Sequence, residues 1–408
     1  MNGARNPLIF IFITRLIDSM GFGIVMPVLP QLLLHMGSPN IAAATRVAGL
    51  LLVVYSVLQF MSGPLIGNLS DRFGRRPVIL VSLFAFGIDY LFMGFAPTIG
   101  WLFVGRAIAG IAGAVYAPAN AFVADITPPE KRAQAFGMVS AAFGVGFILG
   151  PAIGGALGEM GPRAPFFAAA ALAGLNLIFG LFVLPESLPK ERRRPFSWAR
   201  ANPLGAAIAL YRYPAVLGLA MVTLLVLIGN TVYPSIWSFF TTARFDWSTG
   251  MIGLSLAVTG LGMALVQGVL TGRFVSGLGE WRTAKLGLAV AIVAYLTYAF
   301  IPHGWMIFPV SFVGALQALS FPALNALMSH RVRADQQGEL QGAVASLMSL
   351  SSIIGPFVMS QAMGYFTEPD APIHFPGAPF IVSALLTVAA FAVLMRTGRP
   401  APATVSSQ

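Results

Sequence analysis

The segment Gly144-Val-Gly146-Phe-Ile-Leu-Gly150-Pro151-Ala-Ile-Gly154-Gly155 sits in a run without a charged residue from 133 to 158. About 20 mostly apolar residues suffice to cross a bilayer, so the run reads as a membrane helix. Gly146, Gly150, Gly154 and Gly158 recur every four residues and fall on one side of that helix. Small residues at this spacing let helix backbones approach closely, which serves static packing and gating alike.

Charge-free runs of similar length recur at 47–70, 164–185, 213–243, 247–272 and 340–367. The run 286–329 is long enough for two spans around a turn at Pro302-His303-Gly304. The 408 residues are 57% hydrophobic and 9% charged, with a mean hydropathy of +0.81. Soluble domains carry about 25% charged residues. The reading is an all-α polytopic membrane protein with twelve transmembrane helices in two pseudo-symmetric six-helix bundles. The spans are expected near 8–34, 45–69, 77–96, 101–125, 134–158, 165–184, 214–240, 250–273, 283–301, 305–328, 338–361 and 377–395. Arg15 and Asp18 interrupt the first apolar stretch and no small-residue cleavage site follows, so span 1 is expected in the mature protein.

The net charge of +10 has a membrane explanation. With the N-terminus placed inside, the inner loops and termini hold 19 of the 24 Lys and Arg residues. Arg46, Arg163 and Arg244 fall outside, and Arg15 and Arg106 within spans. Cytoplasmic loops attract Lys and Arg, so both termini are expected in the cytoplasm of an inner (plasma) membrane protein. No nucleic-acid partner is needed. The absence of cysteine removes disulfides and thiolate chemistry, and His35, His303, His330 and His374 have no metal-ligand spacing. No cofactor and no metal are expected.

The longest polar stretch, Glu186 to Arg200, divides the spans six and six. The expected organisation is an N-terminal bundle at 1–184, a cytoplasmic linker at 185–213 and a C-terminal bundle at 214–408. An offset of 205 maps Gly63, Gly67 and Gly74 onto Gly268, Gly272 and Gly279. It also maps Asn120 onto Asn325, Gly137 onto Gly342, and Gly150-Pro151 onto Gly355-Pro356. Transporters are often built from such repeats, with the substrate site near mid-membrane at their interface.

A second motif, Gly67-Asn-Leu-Ser-Asp71-Arg-Phe-Gly74-Arg75-Arg76, is a basic turn bracketed by glycines between two apolar runs. Glycines let two helix ends approach, and the charges can pair across a moving contact. With Leu16-Ile-Asp18-Ser-Met-Gly21-Phe-Gly23 running on to Pro27 and Pro30, Gly105-Arg106 to Gly113, Pro129 to Arg132 and Arg244-Phe-Asp-Trp247, it carries a resemblance. Over nearly its whole length the chain resembles the major facilitator superfamily. Within it, the chain is similar to the twelve-span drug/proton antiporters of the tetracycline efflux group. That resemblance implies a conformational latch of Gly67, Asp71, Gly74, Arg75 and Asp125, with Asp71 docked at the start of span 11 and Arg75 paired to Asp125. It also implies that Gly146, Gly150, Pro151 and Gly154 pack against span 8 through Gly260, Gly262 and Gly268.

Ionisable side chains inside spans are costly and mark pathways or proton relays. Asp18, Asp89 and Arg106 are the candidates here. For Asp18 the alternative is a structural pair with Arg15, since i and i+3 share a helix face. Gln59, Asn120, Asn230, Trp237, Phe240, Gln317 and Asn325 are candidate lining groups, because aromatic walls with few polar groups suit amphipathic ligands. Interhelical bonding explains each of them equally well. The tetracycline pumps carry an acid in span 9 where this chain has Ala291, and a histidine in span 8 where it has Met263.

The implied function is proton-coupled efflux of an amphipathic small molecule by alternating access, from a lipid bilayer and as a monomer. Tetracycline-like molecules are among the implied substrates. A facilitator or symporter of the same fold, or a receptor that transports nothing, is the alternative. An enzyme is not expected, since no Ser/His, Cys/His or metal constellation occurs. An ATP-driven pump would need a phosphate-binding Gly-x-x-x-x-Gly-Lys-Ser/Thr loop, which is absent.

Overall fold

A computed structural model describes residues 5–197 and 214–397. Arg200, Arg212, Arg399 and the second half of the expected linker lie outside the described residues. Among the described residues, twelve helices are long and apolar enough to cross a membrane. In chain order they are α1 (Leu8–His35), α2 (Ile41–Phe73), α3 (Arg75–Phe95), α4 (Ile99–Ile126), α5 (Pro129–Gly158) and α6 (Ala164–Val183). The second set is α7 (Val216–Phe245), α8 (Thr249–Leu278), α9 (Glu280–Phe300), α10 (Gly304–Ser329), α11 (Gln337–Phe366) and α12 (Ala378–Arg396). No strand occurs among the described residues.

Four helix breaks lie near the carbonyl four residues before a proline, which removes a backbone donor and crowds that carbonyl. Pro30 acts this way on Met26, and α1 passes through a 3₁₀ turn at Met26–Val28. Pro234 acts on Asn230, and α7 is interrupted at Thr231. Pro118 and Pro322 act alike on α4, interrupted at Ala114–Val115, and on α10, with a 3₁₀ segment at Ala315–Leu319. These breaks coincide under the 205-residue offset of the sequence repeat. Gly74 and Gly279 coincide too: each ends a helix and starts the next at positive φ, 106° and 76°. A side chain at Gly74 would also collide with the Glu186 carboxylate, so both space and backbone demand glycine there.

The α5 glycine ridge is buried, but against α1. Cβ atoms at Gly146, Gly150 and Gly154 would strike the α1 carbonyl oxygens of Leu16, Met20 and Ile24. The expected span 8 contact uses the adjoining face instead. Gly253 packs on the Pro151 carbonyl and Gly155, and Gly260 on Ile148. Gly262 faces Ala315 of α10, and Gly268 has no heavy atom within contact range. Four-residue spacing identifies a close-packing face but not its partner.

Gly150→Leu places a branched side chain where a Cβ alone would lie 2.6 Å from the Met20 oxygen. Overpacking costs about 1–3 kcal/mol and more when backbone must move. Expression and transport are expected to fall together, and a variant that is normal in both would show that α1 and α5 are not in contact.

Candidate substrate and proton pathway

At the end bearing His35 the two halves are sealed. Ser238 Oγ donates to the Met26 carbonyl freed by Pro30, at 2.8 Å. Arg46 of α2 pairs with Glu368, just past α11. Glu159, just past α5, accepts from the Gly250 backbone N–H at 2.7 Å and the Thr249 hydroxyl at 3.2 Å. Gly49 of α2 makes room for Ser360 and the Pro356 carbonyl of α11, and Gly364 of α11 makes room for the Arg46 side chain.

At the Gly74 end the halves stand apart. A cavity of about 590 Å³ separates Pro64, Gly67, Asn68 and Asp71 from Ala345, Ser346 and Ser349 of α11. The expected docking of Asp71 on span 11 is therefore absent: Asp71 pairs with Arg75 at 2.6 Å, four residues on. The expected Arg75–Asp125 pair is present at 3.5 Å. Arg75 also donates to Ser70 Oγ, and its backbone N–H to Glu186. The start of the linker lies under this turn, with Arg194 N–H donating to the Asp71 carbonyl and Asn68 to that of Ser197.

Between the two ends lies a central cavity of about 420 Å³. The N-terminal half supplies all of its charge: Arg15, Asp18, Asp89 and Arg106. Phe22, Tyr55, Phe86, Tyr90, Tyr116 and Phe143 form aromatic walls, whereas α7 and α11 contribute Pro234, Ser235, Ser238, Phe239, Met348 and Ser352. Asp89 is fully buried and pairs with Arg106. Gly105 makes that possible, because a Cβ there would press on the Asp89 carboxylate. Asp18 and Arg15 do not form an ion pair. Asp18 has no hydrogen bond or salt bridge among the described residues, and the Arg15 guanidinium lies over the Tyr116 ring at 4.0 Å.

The other expected lining residues divide. Gln59 lines both the central and the open-end cavities, held by Tyr55 and the Gly113 carbonyl. Asn230 lines a side cavity of about 270 Å³ that shares Phe22, Met26, Pro234, Met348 and Ser352 with the central one. Trp237 and Phe240 are fully buried instead, in an aromatic cluster with Tyr298 and Phe380, and Trp237 donates to Ser255. Gln317 is likewise tied up, donating to Tyr233 at 2.8 Å. Asn120 is exposed and Asn325 accepts from Gln341, so this repeat-related pair does not face across the central cavity. The tyrosines 55, 90 and 116 were missed, although Tyr90 adjoins Asp89 and a Cβ at Gly21 would strike its hydroxyl.

Two proline-broken repeats around a charged cavity, sealed at one end and open at the other, define a membrane transporter that works by alternating access. The comparisons agree. The family described as Major Facilitator Superfamily matches residues 11–356, and this chain belongs to it. It is 43% identical over 357 residues to the tetracycline resistance protein, class C, of Escherichia coli, covering 88% of this chain and 89% of that one. It is 34% identical to the class D protein of Salmonella ordonez, over 98% of both chains. Among solved structures, the human organic anion transporter MFSD10 (TETRAN) aligns with a TM-score of 0.68 at 27% identity. That alignment covers 97% of this chain and all of the other. The protein is thus a multi-pass membrane transporter of the major facilitator superfamily with tetracycline resistance proteins among its relatives.

Proposed function

We propose that this protein exports an amphipathic small molecule, tetracycline-like scaffolds among them, in exchange for protons. Its halves, 1–184 and 214–408, rock about the central cavity and are joined by the 185–213 linker. With both termini in the cytoplasm of an inner membrane, the open Gly74 end is cytoplasmic and the conformation is inward-facing. The observation that carries the reading is Asp18, a carboxylate facing the cavity without a protein partner. It can hold a proton or a cationic group of the substrate, but not both. One proton moving down the membrane potential supplies about 2.3 kcal/mol per 100 mV. The C-terminal half offers the cavity no acid, and Ala291 is buried while Met263 lines only the side cavity, so the proposal does not require a metal chelate as substrate. Tetracycline uptake into everted vesicles tests it: accumulation should follow an inside-acid gradient and reverse with it. Uptake indifferent to the gradient would make the protein a facilitator.

The sealed end supplies a pH prediction. The Gly250 N–H, with the Ser248 and Thr249 hydroxyls, holds the Glu159 carboxyl below the usual glutamate range. A lowered pKa in the closed state means that the contact is at full strength above the ordinary value of about 4.3 and is lost as pH falls through the lowered one. The chain has no cysteine, so a single Leu29→Cys reporter is specific. Its labelling in whole cells by an impermeant thiol reagent, relative to a fully exposed cysteine reporter at the same pH, should rise as external pH falls below the ordinary glutamate range. Glu159→Gln should raise it at neutral pH. Labelling unchanged in both cases would remove Glu159 from the seal.

A further inference from the structure

Two charged side chains of the central cavity form no ion pair among the described residues, and the proposed exchange uses only Asp18. Arg15 is the other. Its Nε and Nη1 are buried and make no hydrogen bond. Its guanidinium carbon lies 4.0 Å from the centre of the Tyr116 ring and 5.7 Å from that of Phe143. Aromatic faces hold a cation through their quadrupole, but they accept no N–H bond in the plane of the guanidinium. Four other arginines in or beside the spans each have a polar partner, although Arg46 and Arg106 also keep a buried Nε without one. Arg106 binds Asp89, Arg46 binds Glu368, Arg75 binds Asp71 and Asp125, and Arg163 donates to the Gly94 and Ala96 carbonyls. Arg15 is held in place by stacking while its donors remain unspent, beside a cavity with room for a ligand.

We infer that Arg15 seats an anionic group of the substrate, and that the substrate is an amphipathic zwitterion. This rests on the reading of the central cavity as the substrate site. The guanidinium fork matches planar two-oxygen acceptors such as a carboxylate or a conjugated enolate. Asp18 lies three residues further along α1, and residues at that spacing are neighbours on a helix surface. A molecule whose acidic group meets Arg15 can therefore present its basic group to Asp18 and displace the proton there. An anion without a basic group would sit against an uncompensated carboxylate. A cation without an acidic group would leave the Arg15 donors unmatched. The aromatic body of the ligand packs on Tyr116, Phe143 and Phe22.

Norfloxacin provides a fluorescent test, because it carries a carboxylate and a piperazinium on a planar ring system. Its ethyl ester keeps the cation and loses the anion. Binding of both to purified protein is followed by fluorescence anisotropy. The wild type should bind the acid at least tenfold more tightly than the ester. In Arg15→Gln the ratio should collapse toward one, and Arg15→Lys should restore part of it, since the charge returns without the fork. A wild type without preference for the acid would overturn the assignment, whatever the variants do. So would an Arg15→Gln protein that keeps the full preference, or one that loses both ligands equally. Transport separates this inference from the reading beneath it. Proton-driven transport of the ester by a wild type without acid preference would retire the Arg15 assignment and leave the exchange intact. Acid preference lost in Arg15→Gln, with no gradient-driven transport of either compound, would do the reverse.

Discussion

Asp18→Asn is expected to abolish proton-driven accumulation of tetracycline while leaving a folded protein that still binds ligand. The carboxylate lines the cavity and has no hydrogen bond or salt bridge among the described residues, so its loss breaks no internal contact. Asparagine is close in size but cannot exchange a proton. Coupled uptake should fall to the level of empty vesicles, with detergent-phase melting close to wild type. A variant that still accumulates drug against its gradient would remove Asp18 from the coupling and pass the role to Asp89.

Arg106→Ala is expected to have the largest effect on stability. Asp89 is fully buried and its salt-bridge partner is Arg106. Removing one member of a buried pair costs about 3–5 kcal/mol, because the remaining charge is left uncompensated. Asp89→Asn combined with Arg106→Ala removes both charges and should recover most of that loss. The measurement is a thermal melt of the single and double variants by intrinsic fluorescence. If the double variant recovers stability but not transport, the pair acts in the cycle as well as in the fold. Additive losses would show that the two residues are not coupled.

The spans and the repeat were legible in the sequence because they rest on local quantities: apolar run length, proline position and glycine spacing. The 205-residue offset found in Gly150-Pro151 and Gly355-Pro356 extends to helix breaks at Met26, Thr231, Ala114 and Leu319. Partners were less legible. Gly146, Gly150 and Gly154 pack on α1 from Leu16 to Ile24, while Pro151 and Gly155 meet α8, so one helix serves two partners through adjoining faces. The seal between Arg46 and Glu368 joins residues 322 apart, and no local signal marks either one. Asp71 fell short of span 11 for a different reason. Asp71 pairs within its own turn, with Arg75, and a cavity separates it from α11. Trp237 and Gln317 looked like cavity residues because composition cannot separate an aromatic cavity wall from an aromatic core.

The exchange itself is tested most directly by loading proteoliposomes with tetracycline and a trapped pH dye, with no pH gradient imposed. As tetracycline leaves down its own gradient, coupled exchange requires protons to enter. The internal pH should fall in wild type and hold steady with Asp18→Asn. Tetracycline loss without a pH change, or with internal alkalinisation, would contradict proton antiport and identify a facilitator or a symporter.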